Sequence, residues 1–187
     1  SYNKQVDKLS AQDWFDKAYS AYENGDLDKS ISFYIISLEL NPQDKYANNN
    51  LGLAYCDQGR YDQAKTKFLK AIELDPEYYL AYYNLGLAYD EEGNYDNAEA
   101  NYLKSIELNG KYPRSYNNLG FLYYNQGRYD QAVTNYLKTL ELDSEISVTY
   151  NNLALVYARQ GKYKLAENNY LKAIELDAGY ANAYNNL

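Results

Sequence analysis

The chain has 187 residues and a formal net charge of −8, with 26 acidic against 18 basic side chains and no histidine. An acidic chain without a basic stripe is a poor partner for nucleic acid or an anionic membrane, because phosphate neutralisation supplies most of such affinity. The missing histidine removes the commonest general base and metal ligand, the single cysteine, Cys56, excludes an internal disulfide, and the apolar runs are too short to cross a bilayer.

Ser10 followed by Asp13 reads as the N-cap of a first helix, which makes residues 1–10 a leader, expected to be poorly ordered as far as Leu9. From Ala11 onward one period governs the chain. Gly25, Gly59, Gly93, Gly127 and Gly161 recur every 34 residues, the mark of an array in which each unit stacks on its neighbours. The units are 11–44, 45–78, 79–112, 113–146 and 147–180, with a partial sixth at 181–187.

The second unit shows what each one builds. Leu51, Ala54 and Tyr55 lie three and four apart, the apolar stripe of a first helix. Gly59 breaks it, in the left-handed conformation that ends helices and strains other residues. Ala64, Phe68, Ala71 and Ile72 form the stripe of a second helix, which stops at Asp75-Pro76 because proline cannot continue it. Small residues (Gly52, Ala64, Ala71) alternate with large ones (Tyr55, Phe68), so helices approach closely while rings fill the gaps.

The first unit departs most from this pattern. Trp14, Gly25, Ser30, Tyr34 and Pro42 keep it, but Lys17 stands where later units have Leu51, Leu85, Leu119 and Leu153, and Ala21 replaces the tyrosine. A terminal repeat with one solvated side is expected to be atypical. At the other end, Ala181 to Leu187 restates the opening of a unit, and the chain lacks methionine. Together these lead to the expectation of a piece excised from a longer protein.

The motif L-G-x2-Y, then A-x3-F/Y, then a proline position, repeats as Leu85-Gly86, Tyr89, Ala98, Tyr102, as Leu119-Gly120, Tyr123, Ala132, Tyr136, and as Leu153-Ala154, Tyr157, Ala166, Tyr170. It resembles the tetratricopeptide repeat over residues 11–187. The resemblance implies an all-α fold, a right-handed superhelical solenoid of stacked antiparallel helix hairpins with one concave groove. It also implies a protein or peptide ligand.

One asparagine per repeat, Asn50, Asn84, Asn118, Asn152 and Asn186, precedes the leucine of the first helix. In arrays of this family that position faces the groove, and the ladder resembles the one by which O-GlcNAc transferase superhelices grip peptide backbone. An amide both donates and accepts, so it suits an extended backbone; first helices about 10 Å apart would give one rung for about three ligand residues. The same amide equally suits a bond to the neighbouring helix, and the two roles remain open at this stage. Asp16 takes the place of the rung in the first unit and favours an amine or guanidinium there.

Three residues further along run Tyr19, Leu53, Leu87, Phe121 and Leu155, an apolar lane read as accepting apolar side chains. Around it lie Cys56, Asp57, Asp90, Glu91, Tyr83 and Tyr124, with Arg114 and Arg159 toward the C-terminal end. Such a groove suits an extended ligand with apolar anchors and basic residues at its N-terminal half. The basic clamp by which some members of the family hold chaperone tails is not matched: Asn84 and Arg114 fit, but Asn118, Asn49 and Leu53 occupy its other positions. The remaining tyrosines, Tyr55, Tyr61, Tyr89, Tyr95, Tyr123, Tyr129, Tyr157 and Tyr163, read as packing and turn residues.

No catalytic, metal or cofactor motif emerges. Cys56 has no histidine to activate it, and the glycines are spaced for turns rather than for a phosphate loop. The expected function is therefore a non-catalytic interaction scaffold. Two alternatives are an end-to-end self-associating module, motivated by an open C-terminal end where Ala173 and Ile174 have only a short helix above them and by an acidic-to-basic trend along the chain, and the substrate-selecting arm of a larger enzyme.

Overall fold

A computed structural model describes residues 9–179 and 181–186. These form eleven helices and no strand: α1 (Ala11–Glu23), α2 (Leu27–Leu40), α3 (Lys45–Asp57), α4 (Tyr61–Leu74), α5 (Tyr79–Glu91), α6 (Tyr95–Leu108), α7 (Pro113–Asn125), α8 (Tyr129–Leu142), α9 (Ser147–Arg159), α10 (Tyr163–Leu176) and α11 (Ala181–Asn186). Apart from Leu9 and Ser10, the leader lies outside the described residues.

The local signals act where the repeat places them. Ser10 caps α1 in a capping box, its hydroxyl accepting from the Asp13 N–H while the Asp13 carboxylate accepts from the Ser10 N–H. All five turn glycines have positive φ, between 71° and 76°, where a side chain would be strained. The helix end at each is closed by backbone bonds, such as Gly59 N–H to Cys56 C=O at 2.8 Å and Arg60 N–H to Tyr55 C=O at 2.9 Å.

The chain divides into two compact units, Ser1–Asn101 and Tyr102–Leu187, with the division falling inside α6. In the first, α1 pairs with α2 and α3 with α4; α2 then packs on α3 and α4 on α5. Ala18, Tyr34, Leu51, Ala54, Tyr55, Phe68 and Leu85 belong to one core. Gly52 lets the Phe68 ring lie where a Cβ would stand, 2.5 Å from the nearest ring carbon. In the second unit α7 pairs with α8 and α9 with α10, α8 packs on α9, and α11 packs on α10. Ala173 is fully buried in a cluster with Ala183 of α11, and Ile174 packs against it. The short final helix thus packs over Ala173 and Ile174.

Within each unit the first helices also touch one another, α1 to α3 and α3 to α5 in one, α7 to α9 and α9 to α11 in the other. No comparable contact joins α2 to α4 or α8 to α10 among the described residues. The first helices therefore line the inner face of each stack. The tyrosine that ends a first helix is roofed by the cation after the turn glycine: Arg60 lies 4.4 Å from the Tyr55 ring centroid and Arg128 lies 4.1 Å from that of Tyr123.

Candidate functional site

The ladder asparagines occupy the inner face but are not a free-standing row. Asn84 is 6% exposed and donates to Asn49 Oδ1 at 2.8 Å, joining α5 to α3. Asn186 donates likewise to Asn151 Oδ1 at 3.2 Å, joining α11 to α9. Asn50, Asn118 and Asn152, all half-buried, each accept from the asparagine before them, at 3.2, 3.2 and 3.4 Å.

A second row, Asn49, Asn117 and Asn151, thus carries the bonds between helices, with Thr149 Oγ1 donating to Asn117 Oδ1 at 2.9 Å. Its signal in the sequence is the run of three asparagines before Leu51 and of two before Leu119 and Leu153. In the third repeat Tyr83 takes this inner position and is 9% exposed, so its ring lies mainly in the packing.

The apolar lane is graded. Tyr19 and Phe121 are 50% and 45% exposed, Leu53, Leu87 and Leu155 are half-buried, and Leu53 and Leu155 also pack against the cores of their own units. Arg114 is exposed in the first turn of α7. In the first unit Asn50 and Leu53 meet Tyr19, Tyr22 and Tyr34 around a cavity of about 40 Å³. Asp57, at the end of α3, accepts from the Tyr22 hydroxyl at 2.5 Å.

Burial raises the Tyr22 hydroxyl far above the ordinary tyrosine range, and the Asp57 bond adds to this. Tyr34 is raised to about 12 by burial, opposed by its hydrogen bond with Asn50. Burial, reinforced by Asp57, Glu91 and Glu92, pushes the Cys56 thiol up to about 12, which disfavours its thiolate form. Among the described residues no three His, Cys, Asp or Glu side chains are placed to hold a metal ion, and no helix is long and apolar enough to cross a membrane.

A second apolar row escapes sequence reading altogether. Ile35, Leu69, Leu103, Leu137 and Leu171, one per second helix at the repeat spacing, are 39–50% exposed.

Helix hairpins stacked through first-helix contacts, with amides and half-exposed rings on the inner face, define a solenoid scaffold of the protein-interaction class. Tetratricopeptide repeat models match residues 15–64 and 111–178, and a TPR repeat model matches 52–91 and 88–127. The chain belongs to the tetratricopeptide repeat family. No curated protein matches it in sequence.

Among solved structures, a MamA protein is 27% identical over 91% of this chain and 93% of its own, with a TM-score of 0.76. PilF of Pseudomonas aeruginosa is 20% identical over 94% of this chain and 80% of its own, with a TM-score of 0.82. YrrB, described as a TPR protein with an unusual peptide-binding site, is 22% identical over 99% of this chain and 96% of its own, with a TM-score of 0.73.

Proposed function

We propose that this chain is a non-catalytic scaffold whose first-helix face holds an extended or helical segment of another protein. The observation that carries the reading is the pairing, on that face, of half-exposed lane residues with half-buried amides. Tyr19 and Leu53 stand beside Asn50, and in the second unit the lane holds Phe121 and Leu155 while the ladder holds Asn118 and Asn152. An amide has two donor hydrogens and two acceptor lone pairs, so the bond that Asn50, Asn118 and Asn152 each accept from the preceding asparagine does not exhaust their capacity for a ligand backbone. Leu87 continues the lane in α5, where Asn84 and Tyr83 set its packing, and Arg114 supplies a cation on α7 for an acidic group.

The experiment is selection of peptides from a random display library on the purified chain, followed by anisotropy measurements of the selected peptides. Asn50→Ala combined with Asn152→Ala, and separately Phe121→Ala, are each expected to weaken binding by about tenfold, the size of one or two lost hydrogen bonds or a lost apolar contact. A selected peptide bound equally well by both variants would overturn the assignment of this face.

A further inference from the structure

The cavity between α1, α2 and α3 has chemistry that the repeat pattern alone does not require. Its walls are Tyr19 and Tyr22 from α1, Tyr34 from α2, and Asn50 and Leu53 from α3. Among the described residues no cationic side chain lines it. About 40 Å³ by this measure accommodates roughly three water-sized groups, the end of one side chain rather than a whole residue. The carboxylate of Asp57 is bonded to the hydroxyl of one wall residue, Tyr22, and Glu23 follows directly in α1.

The same register three repeats on supplies an internal comparison. Phe121, Tyr124, Tyr136, Asn152 and Leu155 reproduce the five wall positions, and the position of Asp57 is taken by Arg159. Arg159 Nε donates to the Tyr124 hydroxyl at 3.4 Å, as the Tyr22 hydroxyl donates to Asp57 in the first unit. Aromatic walls are thus retained while the charge tied to the second aromatic residue is inverted. In the second repeat, Leu53, Cys56 and Phe68 stand at the positions of Tyr19, Tyr22 and Tyr34, so three tyrosines are not a demand of the fold.

We propose that the Tyr19–Tyr22–Tyr34 cavity is a subsite for a cationic side chain, lysine or arginine, of the bound segment, with aromatic walls around its stem and the Asp57 carboxylate facing its charge. This rests on the reading of the first-helix face as a peptide site. Tyrosine faces attract cations through the ring quadrupole, most strongly where water is excluded, and a long cationic side chain buries its apolar stem against rings while its head meets a carboxylate.

The test is titration of the isotope-labelled chain with three capped amino acids, Nα-acetyl N-methylamides of lysine, arginine and norleucine, followed by NMR on the Asn50 amide and the Tyr22 ring. The lysine and arginine compounds are expected to shift these signals saturably, and norleucine, equal in stem but uncharged, to bind at least about fivefold more weakly. Asp57→Asn is expected to erase that preference by weakening lysine and leaving norleucine unchanged. Tyr19→Leu, a change to the residue found at this register in Leu53, Leu87 and Leu155, is expected to weaken all three compounds while the melting curve stays in place.

Equal binding of norleucine and lysine, an Asp57→Asn chain that keeps its lysine preference, or the absence of any shift at Asn50 and Tyr22 would each overturn the subsite. The peptide-selection experiment judges the wider face independently, so the two failures are distinguishable.

Discussion

The two units differ most where their sequences are otherwise most alike. In the first, Tyr19, Tyr22, Tyr34, Asn50 and Leu53 surround a cavity, and Tyr22 is tied to Asp57. In the second, Phe121, Tyr124, Tyr136, Asn152 and Leu155 hold the same register, and Tyr124 is tied to Arg159. Positions that pack are kept, whereas the last residues of the first helices, exposed beyond the packing, change sign. The interiors also differ in one atom's fate: Tyr34 borders the cavity beside Asn50, while the hydroxyl of Tyr136 is buried without a partner among the described residues. In both units the packing positions obey the period, while the charges that end the first helices depart from it.

The comparison is broken most severely by Phe68→Ala. The ring is fully buried and fills the space opened by Gly52, so its removal is expected to cost about 3–5 kcal/mol. Because stability in such arrays is a sum over neighbours, denaturant unfolding followed at Trp14, the sole tryptophan, should move to lower midpoint in this variant. An unchanged Trp14 transition would contradict the packing.

Adding one methyl at the paired glycines gives a smaller, graded effect. A Cβ at Gly52 would stand 2.5 Å from Phe68, and at Gly120 2.9 Å from Tyr136. Overpacking costs about 1–3 kcal/mol and the helix gains about 1 kcal/mol from alanine over glycine. Gly52→Ala should therefore destabilise, and Gly120→Ala should do so less, in line with Ala154 already filling the same register in the fifth repeat. Thermal melts that rank the two in reverse would refute this.

Removing a single hydroxyl sharpens the comparison further. Tyr136→Phe removes an unpartnered buried hydroxyl and should be neutral or stabilising in a thermal melt; a lowered melting temperature would contradict this.

The pH profile follows from the same side chains and carries the mildest effects near neutrality. Burial raises Tyr34 to about 12 and Tyr136 further still. Protonated phenols favour the fold, so their contribution is complete below about pH 10 and is lost as pH rises through the folded values. Asp13, Asp26 and Asp75 are lowered, chiefly by side-chain bonds from Ser10, Lys29 and Lys45. Their contribution is present above about pH 4 and is lost as pH falls through the lowered values. With no histidine, the melting temperature should be flat from about pH 5 to 9; a step inside that window would contradict the assignment.

Much of this was legible in the linear chain, for identifiable reasons. Turn glycines, proline stops and stripes such as Leu51, Ala54 and Tyr55 are local signals, and each acts at its own position. The ladder register was legible too, but the bond from Asn84 to Asn49 was not, because it joins residues one past the period and needs the helices placed side by side. The burial of Tyr83 was hidden for the same reason. The link from Tyr22 to Asp57 also connects different repeats, and neither residue is repeated in the next unit, where Cys56 and Glu91 stand. The exposed row from Ile35 to Leu171 went unread, since periodicity reports that a residue is repeated and not which side of the stack it faces.

The most direct test of the central claim sets the two exposed apolar faces against each other. A photo-reactive phenylalanine analogue would be placed at Phe121 on the first-helix face or at Leu137 on the second-helix face, and each chain irradiated with a library-selected peptide. The account predicts a crosslink from position 121 and none from position 137. A crosslink from 137 alone would place recognition on the opposite face and contradict it.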